Sequence, residues 1–198
     1  MNVFIVFSHV ALIATTMYSL IVMQSFRAYT ILKVAESVYV LLTSFQHKSS
    51  FGLKPAVLTL YAAGDLVIQY KMVPAIMCFL CGHILLFTRF RPQTRHWVAA
   101  VPLAAMGPLF FYLTDHCSLP FCSVLFVYAL VLATTFTSSL AQPDRTLSTA
   151  ALLFFVSDLV LSVKEFSADL LKDIQLQISR AVVLLTYYSA TITYAVKL

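Results

Sequence analysis

Apolar residues fill this chain in long runs, and polar residues fall either between the runs or, inside them, at helical spacing. Crossing a bilayer as a helix takes about 20 mostly apolar residues, whose backbone groups must bond to one another. Cut at its polar punctuation, the sequence gives eight such runs: Val3 to Met23, Ala28 to Gln46, Phe51 to Tyr70, Met72 to Thr88, Trp97 to Thr114, Leu119 to Ser139, Leu147 to Lys164 and Ser179 to Val196. The pattern predicts an all-α polytopic membrane protein, a bundle of eight transmembrane helices forming one domain over residues 1–198. No internal repeat, low-complexity tract or Gly/Ser linker divides it.

Composition excludes a soluble enzyme. Only 11% of the 198 residues are charged and 61% are hydrophobic, whereas a soluble domain carries roughly a quarter charged residues. The longest polar stretch, "KEFSADLLKDIQLQIS", reads as an amphipathic connector, so function must lie within or between the helices. The first apolar run has no basic residue before it and no small-residue cleavage site, which predicts a retained helix rather than a signal peptide.

Thirteen Lys and Arg against eight Asp and Glu leave a formal charge of +5. In a membrane chain that excess concerns orientation and lipid headgroups, not nucleic acid. With eight spans, the basic "RFRPQTRHW" connection shares a side with the termini, which predicts both termini in the cytosol. The endoplasmic reticulum is the expected membrane ahead of the plasma membrane. Cys78 and Cys81 form a C-x-x-C inside an apolar run with no second pair at metal spacing, so they read as packing rather than zinc ligands. A disulfide between Cys117 and Cys122 would need an oxidising compartment.

The polar positions inside the runs share helix faces. Tyr29, Lys33, Glu36, Thr43 and His47 recur at spacings of three, four or seven; Tyr61, Asp65 and Gln69 at four; Asp158, Ser162 and Glu165 at four and three; Arg180, Tyr187, Thr191 and Tyr194 at seven, four and three. Such stripes turn inward from lipid, and their hydroxyls also bond helices together without any chemistry. Acids differ, because an ionised Asp near the bilayer centre costs a few kcal/mol, so Asp65 and Asp158 are functional candidates. Counted from one face at 1.5 Å per residue, Lys33, Glu36, Asp65, Asp158 and Tyr187 all lie about 8 to 12 Å deep. His83 counts deeper, as a floor or a structural residue. Lys33 and Glu36, three apart, are expected to pair.

Four stretches, "YAAGDLVIQ", "FLCGHILLF", "STAALLFFVSDLVLSVKEF" and "SRAVVLLTYYSATITYAV", resemble in order and spacing the motifs of the YhhN-like lysoplasmalogenase family, which includes the animal transmembrane protein 86 enzymes. That resemblance implies eight membrane helices and hydrolysis of the vinyl ether of lysoplasmalogens to a fatty aldehyde and glycerophospho-ethanolamine or glycerophospho-choline. It implies Asp65 and Asp158, the acids of the Gly-Asp and Ser-Asp motifs, as the catalytic pair. Lys33, His83, Arg180 and Tyr187 match family positions on the second, fourth and last helices. Glu165 stands where the family has lysine, and Thr191 where it has glutamine.

Vinyl ether hydrolysis protonates the terminal vinylic carbon, and water captures the resulting oxocarbenium ion. One carboxyl must carry a proton and the other must tolerate the cation. The apolar neighbours Phe154, Phe155 and Val156 suit Asp158 as the acid, with Asp65 orienting water. Lys33 and Arg180 would meet the phosphate, with Glu36, His83, Tyr187 and Thr191 completing the lysophospholipid site. No metal or other cofactor is required. Two other classes compete: a catalytically silent lysolipid-binding relative, and a proton-coupled lipid carrier in which the acids bind protons.

Overall fold

The computed structural model describes residues 11–16, 18, 26–46, 52–68, 70–114, 118–166 and 173–198. Among them every regular element is an α-helix: α1 over residues 11–16, α2 (Phe26–Gln46), α3 (Leu53–Val67), α4 (Met72–Phe90), α5 (Thr94–Leu113), α6 (Leu119–Ser139), α7 (Arg145–Phe166) and α8 (Asp173–Lys197). From α2 on, the apolar runs placed these helices within a few residues of their ends, while the expected ends of the first run, Val3 and Met23, lie outside the described residues. The exception is α8, which begins six residues before the expected Ser179, because part of the amphipathic connector continues the helix.

Four helices, α4 to α7, are long and apolar enough to cross a membrane, which supports a multi-pass membrane protein. The eight crossings expected from sequence are not matched one for one. With its 15 residues, α3 rises only about 22 Å, short of a hydrocarbon core of about 30 Å. In α2 and α8 the polar stripes replace apolar residues: α2 carries Lys33 and Glu36, and α8 carries Arg180.

The helix ends explain the short connections. Arg91 takes a left-handed φ of 48° and Pro92 follows it, so α4 cannot continue. Gln93 and His96 then bond reciprocally across the first turn of α5, with the Gln93 N–H donating to His96 Nδ1 at 3.0 Å. At the start of α7, Asp144 accepts the Thr146 N–H at 2.9 Å, a bond that holds its carboxyl below the usual carboxylate range.

In the bundle, α7 packs along α8, α5 along α6, and α3 along α4, while α2 lies against α3 and α8. Close approach of α3 and α4 depends on two glycines. A Cβ on Gly64 would meet the Phe79 ring at 2.8 Å, and one on Gly82 would overlap the Tyr61 ring. Those rings form an aromatic layer with Phe154 and Tyr187: Tyr61 to Phe154 is 4.9 Å between centroids, Phe154 to Tyr187 is 5.3 Å, and Phe79 to Tyr187 is 6.2 Å. Because the layer is full, Gly82→Ala should force Tyr61 aside and cost about 1–3 kcal/mol, the scale of overpacking. Thermal unfolding in detergent reads this directly; an unchanged midpoint would mean the layer has slack.

Candidate active site

Beside the aromatic layer, residues from six helices line a partly open pocket of about 700 Å³ counted with its mouth, of which water-sized molecules fill only about 70 Å³. Lys33 of α2, Asp65 and Ile68 of α3, Met72, Ile76 and Phe79 of α4, Leu125 and Tyr128 of α6, Ser157 to Phe166 at intervals along α7, and Val183, Leu184 and Tyr187 of α8 form its wall. Ile68, Met72 and Phe166 stand at helix ends, so the cavity runs from the level of Asp158 to one end of the bundle. Most of its surface is apolar, and its carboxyls are Asp65, Asp158 and, further along α7 toward the bundle end, Glu165, which pairs with Lys164.

The carboxyls are held differently. Asp65 is 2% exposed, and three donors meet it. Lys33 Nζ lies 2.9 Å from Oδ1, while the hydroxyls of Ser37 and Tyr187 each donate to Oδ2 at 2.7 Å. The arrangement suits an ionised carboxylate, which accepts through both oxygens and needs a nearby cation where water is scarce. Tyr188 ties the same corner together by donating to the Lys33 carbonyl at 2.8 Å. Asp158 is half-buried, and the Tyr128 hydroxyl bonds its Oδ2. Next to it, the Ser157 hydroxyl donates to the Val183 carbonyl at 3.3 Å and fixes α7 against α8.

Of the residues singled out in the sequence, the cavity wall brings together Asp65, Asp158, Lys33 and Tyr187, with Ser162 and Glu165 of the α7 stripe beside them. Four others lie off it. His83 is wholly buried behind the aromatic layer, with Nδ1 3.3 Å from the Tyr61 hydroxyl and its ring 4.6 Å from that of Phe154. Glu36 is wholly buried one turn along α2 from Lys33. Thr191 is buried one turn beyond Tyr187, and its hydroxyl donates to the Tyr188 carbonyl at 3.2 Å. Arg180 lies three and four residues before Val183 and Leu184, on the same stripe one turn nearer the helix start.

Lys33, expected to pair with Glu36, forms an ion pair with Asp65 across the helix interface and so anchors that carboxylate. His47, Gln69 and the Cys117 side of the expected disulfide lie outside the described residues.

Two partners, Ser37 and Tyr128, escaped the sequence reading. Ser37 lies four residues after Lys33 and so shares its face. Tyr128 stands mid-run in "FCSVLFVYALVLATT", away from the ends where membrane tyrosines concentrate, and that displacement was the available signal.

The described helices form an all-α bundle of the multi-pass membrane class, with a largely apolar pocket lined by Asp65, Asp158 and Glu165. The chain belongs to the YhhN family, whose profile matches residues 26–197. No curated protein and no solved structure matches it.

Proposed function

We propose that this protein is a membrane hydrolase that cleaves the vinyl ether of lysoplasmalogens, releasing a fatty aldehyde and glycerophospho-ethanolamine or glycerophospho-choline. The observation that carries the reading is the unequal treatment of Asp65 and Asp158 on one cavity wall. Three donors hold Asp65 as a carboxylate, whereas Asp158 has the Tyr128 hydroxyl on Oδ2 and leaves Oδ1 to carry a proton.

In the first step Asp158 gives that proton to the terminal vinylic carbon, and the ether oxygen shares the positive charge that develops on the adjoining carbon. Tyr128 donates to the new Asp158 carboxylate, and the Asp65 carboxylate faces the cation. Water then adds to the oxocarbenium carbon and returns a proton to Asp158. The hemiacetal formed breaks its carbon–oxygen bond to the glycerol, giving aldehyde and alcohol. Family membership agrees with a hydrolase of this kind, and the apolar wall suits a lipid substrate.

Purified protein should release aldehyde from a lysoplasmalogen and leave the matching saturated ether lysolipid intact, because only the vinyl ether yields an oxocarbenium ion on protonation. A silent lipid-binding relative or a carrier would bind both and release no aldehyde. Release from the saturated ether as well would point to a different bond-breaking chemistry.

A further inference from the structure

Asp158 and Tyr128 face two spaces. A second, lateral groove, with room for about 400 Å³ of water-sized molecules, runs between α5, α6 and α7, and Leu125, Tyr128, Asp158 and Ser162 line both it and the cavity. These four side chains are the partition between the two. The rest of the groove wall is apolar, supplied by residues such as Leu103, Phe111 and Phe155. Small residues make the room: Ala104 and Gly107 on α5 and Ala129 on α6. At Gly107 even an added Cβ would meet nothing nearer than Phe111, at 3.8 Å. The rims are outward-facing apolar side chains, Met106 at 69% exposure and Leu159 at 50%, on helices apolar enough to cross a membrane. The groove is thus open to the hydrocarbon of the bilayer along its side.

We propose that this groove takes the hydrocarbon chain of a single-chain lipid, which enters sideways from the bilayer and reaches the cavity past Asp158. Its occupant follows from continuity and polarity. The groove joins the cavity at the partition and offers no polar group elsewhere, so a headgroup gains nothing in it and a chain loses no hydration there. With the chain in the groove and the polar end in the cavity, the bond between them lies beside Asp158 and Tyr128. The assignment rests on the lysolipid reading of the cavity and adds where the chain lies, the side from which it enters and which residues set its length preference.

The test uses full-length protein in nanodiscs of diacyl phosphatidylcholine, with a saturated ether lysophosphocholine carrying a diazirine at the chain end as probe. After irradiation, adducts should fall in residues 103–111 and 155–163. Ala129→Phe, or Gly107→Leu if that variant does not fold, should cut them about fivefold or more, the direction expected when a side chain occupies the space of an apolar ligand. Val127→Phe, on the exposed side of α6 and off the groove, should leave them unchanged. In turnover, Ala129→Phe should lower the ratio of kcat/KM for long-chain over short-chain vinyl ether substrates by about tenfold. Adducts spread over all lipid-facing helices, equal adducts in Ala129→Phe and Val127→Phe, or displacement by diacyl lipid as effective as by lysolipid would overturn the groove assignment. Adducts placed as expected in a wild-type protein that cleaves no vinyl ether would keep the groove and overturn the hydrolase.

Discussion

Asp158→Asn should lower turnover of a lysoplasmalogen by about a hundredfold or more, the scale of a lost general acid. Asparagine preserves the size of the side chain and can still accept the Tyr128 hydrogen bond through its amide oxygen, so the aromatic layer and the partition should survive. What disappears is the proton that must reach the vinylic carbon. Aldehyde release by purified variant and wild type, each checked for the same thermal unfolding midpoint, measures the effect. Turnover at the wild-type level would remove Asp158 from the reaction and return its role to helix packing or proton binding. Asp65→Asn should also lose most turnover, for a different reason, because it takes away the negative charge opposite the developing cation.

The second large effect concerns stability. Lys33→Met should cost about 3–5 kcal/mol, because it leaves the Asp65 carboxylate buried without its cation. The Ser37 and Tyr187 hydroxyls would still donate to it, but two neutral donors do not replace a charge 2.9 Å away. Adding Asp65→Asn to Lys33→Met should recover a large part of the loss, since the double variant buries no unpaired charge. The four proteins form a double-mutant cycle, read by unfolding in detergent. If Lys33 served the substrate's phosphate alone, stability would not change and only the Michaelis constant would rise. If the two single losses simply added, the ion pair would not be what holds the corner.

The sequence by itself determined the helices and the faces their polar residues share. Long apolar runs admit few alternatives in lipid, where backbone groups must bond within the segment, so α4, α6 and α7 begin and end close to their runs. Spacing of three and four put Asp65 and Asp158 on inward stripes, because a carboxyl facing hydrocarbon is too costly to keep. Counting residues put them at one common depth, and both line one cavity.

Only the tertiary structure decided which side chains meet. Spacing fixes the angle of a residue about its own helix axis, but not which neighbour that angle faces or how near the neighbour comes. Lys33 therefore reaches Asp65, 32 positions on, and Tyr128 reaches Asp158 from a helix whose sequence carries no polar stripe around it. His83, expected deeper than the carboxyls, is sealed behind Tyr61 and Phe154, because Gly82 lets the Tyr61 ring lie against α4. The groove beside Asp158 is likewise a product of packing: Ala104, Gly107 and Ala129 read as ordinary small residues until three helices set them around one space. Contacts between helices depend on how side-chain volumes fit at each crossing, and a one-dimensional pattern carries that fit only as isolated glycines, alanines and rings whose partners lie tens of residues away.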